Sequence, residues 1–157
     1  MATKGYTREL DEGTAYWFVG TRMTVKAGMK ETQGRLSLIE CRAPAGYEPP
    51  AHIHVDEDEI FYMLEGALEL DCAGEKYTIG AGGLVFLPRA VDHWFRVTDD
   101  GPARWLVLTA PGKFEQLIAA VGEVADGPDF PPPAEPDFDR LISTAAEYGI
   151  NFILPQS

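Results

Sequence analysis

Residues 46–66, GYEPPAHIHVDEDEIFYMLEG, set two histidines one residue apart and a carboxylate close behind them, in a stretch framed by glycines and prolines. Side chains two apart on an extended strand point to one face, so His52 and His54 aim at a common point while Ile53 aims away. The acidic run at 55–58 is long enough to reverse the chain, which predicts that Glu59 returns on an adjacent strand beside the imidazoles. Two neutral imidazoles and a carboxylate suit a borderline divalent transition metal and argue against calcium or magnesium. A lone histidine in a half-buried strand is more often a hydrogen-bonded rim residue than a ligand. Here the chain has only 3 histidines, and the third, His93, lies in PRAVDHWF, another turn-then-strand stretch. Such sparing use favours a metal site over surface chemistry.

The rest of the chain reads mostly as short strands. YWFVGTRMTVK at 16–26 is one or two strands with Gly20 as a bend, 27–34 is turn material, and RLSLIECR at 35–42 is the next strand. Pro44, Gly46, Pro49 and Pro50 form a stiff, extended entry to the histidine pair. IFYMLEG after Glu59 is apolar on both faces: if Glu59 points inward, Phe61 and Met63 share its face, while Ile60, Tyr62 and Leu64 face a second apolar contact. GLVFLP and WLVLTA show the same doubling, so a helix or a partner subunit is expected on the outside. ALELDC at 67–72 and residues 75–79 form a hairpin across Ala73 and Gly74. Closely spaced short strands of this kind indicate an antiparallel sandwich or barrel.

Helical periodicity appears only near the end. Phe114, Leu117, Ile118 and Val121 form one apolar stripe after Pro111 and Gly112. Residues 126–136, DGPDFPPPAEP, form an irregular or polyproline-like connector. Asp137 is placed as the N-cap of a second helix carrying Phe138, Leu141, Ile142 and Ala145, with Gly149 as its stop. INFILP then docks as an edge strand. The two helices either cover the outer sheet face or close the barrel mouth as a lid. Residues 1–13 carry no periodicity and read as an arm.

The stretch around the histidines resembles the first motif of the cupin superfamily: Gly46, five residues, His52, one, His54, four, Glu59, six, Gly66. The second motif is similar too: Gly82, five residues, Pro88, then His93 five further on. Two positions depart from the pattern, Ala90 where glycine is usual and Val97 where asparagine is frequent. Neither removes a ligand, although Ala90 tolerates a positive φ less well than glycine would in the turn before His93. The resemblance implies an all-β fold, an antiparallel cupin (jelly-roll) β-barrel with two short C-terminal helices. It also implies one metal held by His52, His54, Glu59 and His93, and a homodimer formed through a sheet. No internal repeat of the two motifs occurs, so residues 1–157 are expected to be a single cupin domain, with the barrel at about 14–110 and the helices and proline-rich tail at 111–157.

At 157 residues and 45% hydrophobic content, one core is enough to account for the chain. A net charge of -12 opposes nucleic acid and anionic membrane surfaces, whose phosphates it repels. The N-terminal residues hold no apolar signal segment, and no run approaches the ~20 apolar residues of a membrane span, so a cytoplasmic protein is expected. Cys41 and Cys72 have neither metal nor redox spacing and are read as buried thiols.

Three imidazoles and a carboxylate leave open positions on a five- or six-coordinate metal, the mark of a reactive site more than of a structural one. One divalent transition metal per chain is expected, with Fe, Mn, Ni, Co, Cu and Zn all compatible. Glu59 is the candidate catalytic base as well as a ligand. Phe61, Met63 and Phe95 are candidates for lining a cavity that suits a flat aromatic or hydrophobic substrate; the same residues are equally well explained as barrel core. The layout, a lone barrel followed by PGKFEQLI and a proline-rich tail, looks like the bacterial quercetin dioxygenase-like monocupins, implying a small-molecule substrate together with dioxygen. Two other readings remain: a non-oxidative isomerase, lyase or decarboxylase, and a metal-anchored binding protein.

Overall fold

The computed structural model describes residues 4–154. In chain order its elements are β1 (Thr14–Phe18), β2 (Thr21–Ala27), α1 (Met29–Thr32), β3 (Ser37–Ala43), β4 (His52–His54), β5 (Asp58–Glu65), β6 (Ala67–Cys72), β7 (Glu75–Gly80), β8 (Leu84–Leu87), β9 (His93–Val97), β10 (Ala103–Ala110), α2 (Phe114–Val121), β11 (Glu123–Val124), α3 (Phe138–Glu147) and β12 (Ile150–Phe152). Residues 1–3 of the expected arm and Pro155 of the expected tail strand lie outside the described residues.

All pairings are antiparallel and fall into two sheets. One has the order β11-β1-β2-β3-β10-β5-β8, the other β12-β4-β9-β6-β7. Strict alternation puts every second residue of β10 and β9 into the space between them: Ala103, Trp105 and Val107 from the first, His93, Phe95 and Val97 from the second. With Ile39, Cys41, Met63, Leu68 and Leu70 all of these but His93 form one continuous apolar core. This is the expected all-β cupin fold.

Several local expectations take a specific form. The segment at 16–26 is two strands joined by the tight turn Val19–Gly20, with φ of 47° and 81°. The segment at 27–34 contains a short helix, α1, whose N-cap residue Gly28 donates its N–H to Glu31 Oε2 at 3.0 Å. Asp137 caps α3 by accepting Arg140 N–H at 3.0 Å, and Gly149 follows the helix with φ of 77°. The connector at 126–136 has no regular structure and is tied to the barrel through carbonyls, Gly127 O accepting from Arg22 Nε and Asp129 O from Trp17 Nε1, each at 3.0 Å. Cys41 is buried, but Cys72 is only half-buried: it shares the inward face of Leu68 and Leu70 and packs against the core, at the end of β6.

The helices do not cover the outside of β5 and β8. Tyr62, Leu84 and Phe86 stay exposed there, 42%, 55% and 54% respectively. Phe114 and Leu117 of α2 instead line an interior cavity between the sheets, so α2 closes one end of it.

Candidate metal centre

The histidine pair sits on a strand of only three residues, and its neighbours hold it. β4 pairs with β9 through His52↔His93 and with β12 through Ile150↔His54 and Phe152↔His52. The three imidazoles are therefore cross-strand neighbours in one sheet. Glu59 arrives differently from the expectation. β5 belongs to the other sheet, where Glu59 pairs with Leu87 and Thr109, so the carboxylate meets the imidazoles across the interior and not from an adjacent strand.

The acidic run makes that crossing possible, because each of its carboxylates has a partner. Asp56 pairs with Lys113 Nζ. Glu57 Oε1 lies 2.7 Å from His54 Nδ1, and Glu57 Oε2 accepts the N–H groups of Lys113 and Phe114. Asp58 accepts from Arg89 Nε, Nη2 and backbone N–H at 2.9–3.1 Å, and Arg89, beside it, holds the Asp58 carboxyl down at about 2. Val55 N–H donates to Gly149 O at 2.8 Å. The turn at 55–57 is thus pinned to α2 and to the start of β12.

His52, His54, Glu59 and His93 each offer a ligand atom, and these atoms all lie within 4.8 Å of one another. Glu59 Oε2 is 3.2 Å from His54 Nε2 and 3.0 Å from His93 Nε2. The far nitrogens face carbonyls or a carboxylate: His52 Nδ1 is 3.0 Å from Pro50 O, and His93 Nδ1 is 3.3 Å from Val91 O. Ring orientation is therefore fixed from outside the cluster.

Ionisation follows from this crowding. Burial pushes His52 down to about 3, and the charges on His93 and His54 push it the same way. Burial would also lower His54, but Glu59 and Glu57 outweigh it and hold that ring above its ordinary value. Burial would raise Glu59, yet the surrounding His54, His93 and His52 bring it down to about 2. Glu59 Oε2 and His93 Nε2 are nevertheless buried without a hydrogen-bond partner. Buried polar atoms are seldom left so, and two of them converging with two further imidazole nitrogens is the arrangement a metal ion satisfies. The donor set fits the expected ion.

The cluster borders a cavity with a free volume of about 50 Å³. His52, His54, Glu59, Phe61 and Phe95 line it; Met63 does not, being wholly buried in the core, and His93 joins the cluster without lining the cavity. Residues the sequence reading did not place at the site add to the wall, among them Tyr47, Trp105, Phe114, Leu117, Ile150 and Phe152. Phe61, Phe95 and Trp105 meet edge-on or tilted at 5.5–6.1 Å between ring centroids. The indole N–H of Trp105 is buried and has no acceptor. No lysine or arginine lines the cavity among the described residues. Glu57 was the other omission; inside an acidic run it carries no sequence signal that separates it from a solvated turn.

Two antiparallel sheets facing each other, with three imidazoles and one carboxylate gathered between them, define the cupin class of fold and site. Residues 38–109, just under half of the chain, match the family model described as Cupin domain. The chain is 27% identical over 150 residues to quercetin 2,3-dioxygenase of Bacillus subtilis, covering 94% of this chain and 44% of that protein. The chain spans about half the length of the curated relatives it matches, 44% and 60%. Among solved structures it resembles a predicted oxalate decarboxylase of Thermotoga maritima, with TM-score 0.61, 18% identity, and coverage of 68% of this chain and 99% of that one. It also resembles an RmlC-like cupin of Shewanella frigidimarina, with TM-score 0.60, 18% identity, and coverage of 74% and 99%. These two likenesses concern the fold.

Proposed function

We propose that this chain is a metal-dependent oxygenase, similar in chemistry to quercetin 2,3-dioxygenase, acting on a neutral, enolisable aromatic or hydrophobic small molecule. The observation that carries this reading is the convergence of His52, His54, Glu59 and His93 at the wall of an apolar cavity, with two of their buried atoms unpaired. The likeness over 94% of the chain to a dioxygenase supports the oxidative form of it.

The four side chains would hold one divalent transition metal, and such an ion supplies Lewis acidity that lowers the pKa of a hydroxyl or enol of the substrate. Glu59 accepts the proton released, at Oε2, the atom without a protein partner. Its basicity rises as the carboxylate turns away from the imidazoles that depress it. Phe61 and Phe95 flank a flat substrate and, with Phe114 and Phe152, exclude water from it. Trp105 presents its spare N–H to a substrate oxygen, which would relieve the cost of a buried unpaired donor, about 1–3 kcal/mol. With no basic residue on the wall, a carboxylate- or phosphate-bearing substrate finds no counter-charge.

Cavity size favours a second reading. About 50 Å³ is room for roughly four waters, so a flavonol enters only if the wall gives way, whereas a smaller molecule is accommodated with less movement. Non-oxidative chemistry on a small enolisable compound uses the same residues. Oxygen uptake by metal-loaded protein, against a panel running from flavonols to small enolisable ketones, separates the two. Substrate-dependent uptake supports the oxygenase. Turnover without uptake supports the non-oxidative reading and overturns the first.

A further inference from the structure

Glu57 is not one of the four converging donors, yet it is 1% exposed. A carboxylate buried that deeply needs partners, and it has three. Oε1 lies 2.7 Å from His54 Nδ1, while Oε2 accepts the backbone N–H of Lys113 at 3.0 Å and of Phe114 at 3.2 Å. Those amides open α2, which has no cap of its own: Lys113 stands at its N-cap and makes no capping side-chain hydrogen bond. Glu57 therefore serves as the missing cap from 56 residues upstream, where a carboxylate also meets the positive end of the helix.

The other oxygen acts on the histidine. A carboxylate only accepts hydrogen bonds, so Nδ1 of His54 carries the hydrogen in that contact, and in the neutral ring Nε2 keeps its lone pair. Nε2 is the nitrogen that faces Glu59 at 3.2 Å. One side chain thus orients a candidate ligand and anchors the helix whose Phe114 and Leu117 wall the cavity. The Asp56–Lys113 ion pair fastens the same turn to the same helix, but it touches neither ring nor backbone amide.

Resting on the metal reading above, we propose that Glu57 is a positioning residue that couples the docking of α2 over the cavity to the ability of His54 to hold a metal. Such coupling is reciprocal: whatever docked α2 adds to metal affinity, bound metal adds to the docking of α2. The helix end that closes the cavity is then tightened when the site is loaded and loosened when it is empty.

The test uses the full chain with Co²⁺ as the probe, reading affinity and the visible Co²⁺ spectrum, together with hydrogen exchange of the α2 amides with and without the ion. Wild type is expected to bind Co²⁺ and to show slower exchange at 113–117 on loading. Glu57→Gln, nearly the same shape, is expected to bind about 10–100-fold more weakly, with an altered spectrum and with α2 exchange no longer responsive to Co²⁺. Lys113→Ala removes the ion pair but keeps the backbone N–H that Glu57 accepts, so its α2 exchange is expected still to slow on Co²⁺ loading. Equal affinity and spectrum in Glu57→Gln would overturn the coupling while leaving the metal reading intact. So would α2 exchange in wild type that ignores Co²⁺, a measurement that needs no variant to fold. Wild type that fails to bind Co²⁺ at all would overturn the metal reading, and this inference with it.

Discussion

Ala90 holds a left-handed backbone, φ 61°, at the step that turns the chain toward His93, and its N–H donates to His54 O at 2.7 Å. The turn therefore keeps the form that glycine would favour, at a cost to alanine of about 1–2 kcal/mol. Ala90→Gly should remove that strain but add about 0.4–1 kcal/mol of unfolded-state entropy. The net expectation is a gain of about 0.5–1 kcal/mol, seen as a melting temperature higher by about 1–4 °C in calorimetry, with metal binding unchanged. A lower melting temperature would contradict this account of the turn. At this scale the convergence of His52, His54, Glu59 and His93 was legible, because two-residue spacing on a strand and a third histidine at a strand start leave few alternatives. Glu57 was not, since its partners are a neighbouring ring and two amides far along the chain. Nor was the fate of Met63: it shares a face with Glu59 and Phe61, but depth along β5 puts it in the core beyond the cavity.

Among the elements, α2 and β12 matter most to the site. The stripe of Phe114, Leu117, Ile118 and Val121 announced a helix, but a stripe does not say which surface it packs against. Here its two roles divide: Ile118 is buried in the core, and Leu117, equally buried, also faces the cavity. Leu117→Ala should therefore cost about 2–5 kcal/mol as a core truncation and at the same time enlarge the cavity. Chemical denaturation would measure the first effect. The second predicts that bulky substrates gain relative to small ones, and an unchanged size preference would contradict the placement of α2 at the cavity wall. β12 is a similar case. INFILP was readable as an edge strand, yet only the fold reveals that its partner is β4, bringing Phe152 within 5.7 Å of His52, centroid to centroid. The crossing of the chain between sheets at 55–57 was hidden for the same reason, because it depends on contacts with residues 113, 114 and 149.

At the scale of the whole molecule, the doubled apolar pattern of β5 and β8 finds no cover among the described residues. Tyr62 lies opposite Leu84 and Ile60 opposite Phe86 on the outer face. Three of these are exposed, which makes an apolar patch of cross-strand neighbours. We propose that a second copy of the chain covers it. Sedimentation equilibrium should then return twice the chain mass, and Phe86→Asp should return a monomer with unchanged circular dichroism; a monomeric wild type would refute the dimer. No described helix is long and apolar enough to cross a membrane. The sheets, the core and the four-residue cluster together make one claim above the others, that this chain holds a metal between its two sheets. Elemental mass spectrometry on the native protein, beside His52→Ala and His93→Ala, tests it most directly. The prediction is close to one transition-metal ion per chain in wild type, and loss of most of it in both variants while each keeps its fold. A wild type free of metal, or full occupancy in both variants, would contradict it.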